Sequence, residues 1–246
     1  MEASPAPKRR NSLTAYVGLP TIGWGSPIVA LGAITAIVIT VMGSISVVIF
    51  DPKLETSAGK DIAQLMVAVG LSGAALIFAL ADSGGRMREA LARLGLRRLA
   101  VRAIAMAAMA WLAYFLIAAL VAPLLQPEQQ DVTRELGAGD RSALNMIAAG
   151  FLIVVAAPVS EELFFRGFMF AGLRRSLPIW PAAAISALIW GSLHLTGGNI
   201  GVAVQLAIFG VILAWLYERS GTLWAPICAH GINNTIAFIL LLTGVV

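Results

Sequence analysis

The stretch that decides the fold is residues 28–50, IVALGAITAIVITVMGSISVVIF, an apolar run without a charged residue. A helix needs about 20 such residues to cross the hydrocarbon core of a bilayer, and in lipid a single run can satisfy its own backbone hydrogen bonds only as a helix. Working outward, the same reading applies at 61–81, 99–125, 143–177, 179–195, 200–217 and 222–245, each bounded by polar or Pro/Gly-marked breaks. The expectation is an all-α fold, a polytopic transmembrane helix bundle of about seven spans and at most eight. Composition agrees: 59% of the 246 residues are hydrophobic and 12% charged, against about half and roughly a quarter in soluble domains. A water-soluble globule is excluded.

The formal charge of +4 would suggest nucleic acid in a soluble protein, so the placement of the charges decides its meaning. Lys8, Arg9 and Arg10 lie in the leader, Arg86, Arg88, Arg93, Arg97, Arg98 and Arg102 in the 82–102 loop, then come Arg174 and Arg175, then Arg219. These are twelve of the seventeen basic residues, and seven spans put them on one side. Lys53, Lys60, Arg134 and Arg141 occupy the alternate loops, and the 126–142 loop is acidic, with Glu128, Asp131, Glu135 and Asp140. The positive-inside rule then predicts a cytoplasmic N-terminus and an outer C-terminus. Topology and contact with anionic lipid account for the basic loops, so the bilayer is the expected partner and nucleic acid is not.

Residues 1–27 read as a basic cytoplasmic leader, disordered or interfacial, with no apolar run close enough for a cleavable signal peptide. Residues 28–142 read as N-terminal transmembrane helices and loops, and 143–246 as the helical part that carries the chemistry. The alanine- and glycine-rich style suggests a bacterial cytoplasmic membrane. Cys228, the one cysteine, allows no internal disulfide and no cysteine zinc framework. Gly70 and Gly73 read as close-packing positions between helices.

Ionisable groups inside a membrane are costly unless paired or facing a cavity, which makes them functional candidates. Here they are Glu161, Glu162 and Arg166 in VSEELFFRG, His194 in WGSLHL, and His230 with Asn234 in AHGINN. Glu162 and Arg166 are four apart, so a helix stacks them into a pair. Glu161, turned about 100° away, is left without that partner and is the candidate general base. A hairpin turning near Leu177 and Pro178 would bring Glu161 and His194 to one level, each about 25 Å from the turn. A second, turning near Ser220, would place His230 and Asn234 about 15 to 21 Å in. Singly, each of these groups can be glue between helices. Glu162–Arg166 reads as structural support and Trp190 as packing, with Asn233 and Cys228 incidental. The coincidence of the polar groups is what points to a site.

These motifs resemble the CPBP family of intramembrane endopeptidases, which processes CAAX proteins and bacteriocins, is also called Abi, and is related to the type II CAAX prenyl proteases. Its Glu-Glu-x-x-x-Arg motif matches Glu161, Glu162 and Arg166, with Phe165 and Gly167 in its Phe-Arg-Gly. Its Phe-x-x-x-His matches His194, with Trp190 where the family has Phe. Its His-x-x-x-Asn or Asp matches His230 and Asn234, preceded by Leu-Trp-Ala-Pro at 223–226. The resemblance covers roughly residues 143–245 and makes 143–246 a CPBP-like catalytic core. It implies that Glu161, assisted by His194, activates a water against a peptide carbonyl while His230 and Asn234 stabilise the oxyanion. Glu162 and Arg166 would then be structural support.

The family also implies a metal-dependent version with Glu161, His194, His230 and Asn234 as ligands. The chain has no His-Glu-x-x-His or other tight zinc spacing, so the expected chemistry needs no cofactor, with a divalent metal as the alternative. The expected substrate is a peptide or membrane protein, prenylated or not. The rivals are a non-proteolytic scaffold or immunity protein on the same fold, and a proton-coupled transporter. A transporter should show paired halves with interrupted helices, and the sequence shows no such symmetry.

Overall fold

The computed structural model describes residues 19–127, 142–195 and 199–243. Among them it contains eight helices and no strand: α1 Ser26–Phe50, α2 Ser57–Asp82, the short α3 Met87–Arg93, α4 Val101–Leu125, α5 Ala143–Leu173, α6 Ile179–Ser192, α7 Ile200–Ser220 and α8 Trp224–Thr243. Local chemistry sets several of the ends. The Thr56 hydroxyl accepts from the Gly59 amide at 2.9 Å to open α2, and Asn199 accepts from Val202 at 3.0 Å to open α7. α7 stops at Gly221, whose φ of +68° suits glycine.

Six of these helices are long and apolar enough to cross a membrane. The seventh, α6, has 14 residues, about 21 Å of helix, short of the roughly 30 Å hydrocarbon core. The all-helical bundle of about seven spans is therefore six full-length helices and one short one. α5 is continuous over 31 residues, so it supplies no eighth span. The outer faces of α1 and α4 carry exposed Ile37, Met42, Ile49, Leu116 and Leu120, surface as apolar as lipid tails.

Contacts between loops gather the basic segments at one end of the bundle. The Gly23 amide donates to Asp82, which also pairs with Arg93. Arg175 donates to the Ile22 carbonyl at 2.7 Å. Arg174 grips Glu218 through two nitrogens at 3.1 and 3.0 Å. The Leu223 amide bonds the Gly95 carbonyl at 2.9 Å, and Trp224 donates to the Arg97 carbonyl at 2.8 Å. Of the leader expected over 1–27, residues 22–24 are fastened here: Ile22 and Trp24 are buried, and the Trp24 indole donates to the Phe168 carbonyl. Lys8, Arg9 and Arg10 lie outside the described residues, as does most of the acidic 126–142 loop.

Small residues let the helices approach closely. A Cβ on Gly70 would lie 2.8 Å from the Ala36 carbonyl oxygen, and one on Gly191 would lie 2.6 Å from that of Ala203. α1 thus nests on α2, and α6 on α7.

Candidate active site

α5 builds the centre of the site and departs from α-helical geometry on both sides of it. Residues 152–156 and 162–170 are π-helical, with α-helical turns at 157–161 between them. In a π turn each amide bonds the carbonyl five residues back, a form that collects at functional sites. The Ala157 amide bonds the Leu152 carbonyl in this pattern. The next partner in the series, for the Ile153 carbonyl, would be residue 158, which is proline and has no N–H. Asn234 of α8 supplies the missing donor, its amide nitrogen 2.9 Å from the Ile153 oxygen. The π stretch at 162–170 is tied down similarly, with Ser186 of α6 donating to the Phe165 carbonyl at 2.8 Å.

The two adjacent carboxylates meet different surroundings. Glu162 is wholly buried, and its Oε1 accepts from Arg166 at 2.8 Å and lies 2.9 Å from His230 Nδ1. Arg166 is equally buried and reaches the Gly210 carbonyl of α7 at 3.4 Å. Glu161 lies on another face of α5, where its Oε2 accepts from the indole N–H of Trp190 at 2.5 Å. That same oxygen is 3.9 Å from His230 Nε2. His230 therefore stands between the carboxylates, bonded to Glu162 and facing Glu161. Since a carboxylate accepts, the Glu162 bond places a proton on Nδ1 and directs Nε2 toward Glu161.

His194 approaches the centre through Trp190. Its ring meets the indole edge-on at 5.2 Å between centroids, and its Nδ1 donates to the Trp190 carbonyl at 2.9 Å. Nε2 is thereby left as the free ring nitrogen. Glu161 and His194 share the indole, with no direct hydrogen bond between them among the described residues. Trp190 is also edge-on to His230 at 5.3 Å and carries the Arg166 guanidinium 4.6 Å from its ring centroid. It is 1% exposed. The packing reading of Trp190 missed its polar atom. The available signal was a donor-bearing ring one turn before a membrane histidine.

Asn233 donates weakly to Asn234 Oδ1 at 3.5 Å, and Cys228 is half-buried. The described residues contain no group of three or more His, Cys, Asp or Glu arranged to hold a metal ion. Asn234 gives its nitrogen to a backbone carbonyl, as His194 does its Nδ1. These bonds leave Asn234 Oδ1 and Nε2 of His194 and His230, the atoms that would hold a metal, outside any hydrogen bond shorter than 3.5 Å among the described residues.

Residues 143–236 match the family model for type II CAAX prenyl endopeptidase Rce1-like proteins. Over that segment the chain is similar to that family. The segment holds every motif that carried the CPBP resemblance, from Glu161 to Asn234. Among curated proteins, a Bacillus subtilis relative named "Putative membrane peptidase YdiL" is 29% identical over 104 residues, 41% of each chain. An uncharacterised 24.3 kDa protein of Escherichia coli is 30% identical over 37% of this chain and 43% of its own. Human CAAX prenyl protease 2 is 30% identical over 34% of this chain and 31% of its own. The chain thus spans less than half the length of these relatives. No solved structure matches.

Proposed function

We propose that the protein is an intramembrane endopeptidase in which Glu161 activates a water for attack on a peptide carbonyl. The asymmetry of the two carboxylates carries this reading. Glu162 has its Oε1 bonded to both Arg166 and His230 and no exposed surface, while Glu161 accepts one hydrogen bond and keeps 12% side-chain exposure. The 3.9 Å gap between Glu161 Oε2 and His230 Nε2 is one that a water can bridge. Glu161 takes a proton as the water oxygen bonds the carbonyl carbon. It returns that proton to the amine nitrogen as the C–N bond breaks. A His230 that enters the cycle as imidazolium, its second proton taken from solvent, donates from Nε2 to the oxyanion and keeps that proton through the cycle, held in place by Glu162 as a buried carboxylate holds a catalytic imidazole.

His194 offers Nε2 as a second proton acceptor beside the site, and Asn234 retains one amide N–H for the carbonyl oxygen. The geometry favours His230 over His194 as the direct neighbour of Glu161. The substrate class is a peptide bond presented in or at the bilayer, with prenylated CAAX peptides a candidate given the Rce1-like match and the human relative's name. The clustering of basic loops at one end supports a cytoplasmic N-terminus, in a bacterial cytoplasmic membrane.

The test is cleavage of a quenched peptide library, including a farnesylated CAAX peptide, by detergent-purified protein and by Glu161→Ala, with and without a strong chelator. Cleavage that vanishes in the variant and survives chelation supports the proposal. Cleavage lost on chelation favours the metal-dependent version. No cleavage by folded wild type favours the non-proteolytic scaffold.

A further inference from the structure

A water-activating carboxylate must be oriented without being neutralised, and Glu161 has neither the arginine nor the histidine bond that fixes Glu162. Resting on the peptidase reading above, we propose that Trp190 is a positioning residue whose indole N–H aims the Glu161 carboxylate at His230. The bond and the aim involve one oxygen: Oε2 accepts from Trp190 Nε1 at 2.5 Å and faces His230 Nε2 at 3.9 Å. The donor cannot swing away. Its ring is wedged against the Arg166 guanidinium, edge-on to both histidines, and 6.3 Å from the Phe209 ring. Behind it, a Cβ on Gly210 would lie 2.8 Å from Ala187 Cβ and 3.1 Å from the Trp190 ring, so that glycine lets α6 and its indole lie close on α7.

Indole suits this task because it is a neutral donor with no acceptor and no titration near neutral pH. It fixes Oε2 in place without neutralising it, and a second lone pair of that oxygen stays open to the proton of the water between it and His230. Phenylalanine would fill the place but could not hold the carboxylate. A long side chain with a single buried anchor owes its orientation to that anchor.

The experiment pairs kinetics with indole ¹⁵N–¹H spectra of the detergent-solubilised full chain, which has six tryptophans. Trp190→Phe should lower kcat by about 10- to 100-fold, the worth of a hydrogen bond to a charged group, with KM nearly unchanged. The indole signal missing from that variant should lie downfield in the wild type and move upfield in Glu161→Ala. Gly210→Ala, whose Cβ would press on Ala187 of α6 as well as on the indole, shifts the donor without removing it, should move the same signal and lower kcat, and serves if Trp190→Phe fails to fold. An active wild type with undiminished kcat in Trp190→Phe, or a signal indifferent to Glu161→Ala, overturns the assignment and leaves the peptidase reading standing. A wild type that cleaves nothing, with the signal still moving in Glu161→Ala, overturns the peptidase reading and the positioning role with it, and leaves only the bond.

Discussion

Replacing Glu162 with alanine tests the electrostatic logic of the site's buried half. Its Oε1 lies 2.8 Å from Arg166 and 2.9 Å from His230, with Glu162 and Arg166 both at 0% exposure. The substitution strands a guanidinium whose remaining hydrogen bond is a long one, to the Gly210 carbonyl. Breaking a buried pair in this way costs about 3–5 kcal/mol. At about 2–4 °C per kcal/mol for a chain of this size, the midpoint should fall by about 6–20 °C. Thermal unfolding in one detergent, followed by tryptophan fluorescence, reads the shift. Adding Arg166→Met should recover at least about 1 kcal/mol, because the orphan charge leaves with its partner. His230→Ala should cost less, since Glu162 keeps Arg166. A Glu162→Ala midpoint within about 2 °C of wild type, or a double variant as unstable as the sum of the singles, would refute this account of the pair.

Other consequences follow from individual contacts. Asn234→Ala should lower stability by about 1–3 kcal/mol because the Ile153 carbonyl loses its donor. Pro158→Ala, which restores the backbone N–H, should shrink that loss, and an equal loss in both backgrounds would contradict the replacement. If Asn234 also serves the oxyanion, its removal should lower kcat about 100-fold, whereas a change confined to KM would assign it to substrate binding. Gly191→Ala should cost about 1–3 kcal/mol by overpacking α6 against α7, visible in the same melts, and a neutral result would mean that the two helices part easily. In the connection before α4, Arg86 and Arg93 hold the Glu89 carboxyl down at about 2 from its usual 4.5. A carboxylate depressed on folding contributes stability above its unfolded value and loses it as pH falls. Amide protection of α3 should therefore stay level from pH 5 to 8, roughly, and fall only below about 4.5, and a loss near neutrality would refute the role of this cluster.

The helices were legible because apolar runs such as 28–50 meet one physical demand, and the shared end of the basic loops followed from counting crossings. The Glu162–Arg166 contact followed from a spacing of four. A hairpin turning near Leu177 and Pro178 would aim Glu161 at His194, but the residue of α6 that meets Glu161 is Trp190, one turn earlier. That depends on how α6 rotates against α5, and the rotation is set by Ser186 on the Phe165 carbonyl and by Gly210 behind the indole, contacts between segments far apart in the chain. The Glu162–His230 bond was hidden for the same reason, because α5 and α8 carry no mutual pattern in sequence. The π turns were hidden too: Pro158 marks a missing N–H, but nothing nearby says that Asn234 supplies it.

The central claim is that Glu161 activates a water for peptide-bond cleavage. The most direct measurement is mass analysis of products formed in ¹⁸O-water by wild type and by Glu161→Gln, which keeps the shape of the side chain and removes its basicity. The account predicts that wild type places one ¹⁸O in the new carboxyl group and that Glu161→Gln forms no product. Cleavage by Glu161→Gln at the wild-type rate would contradict it.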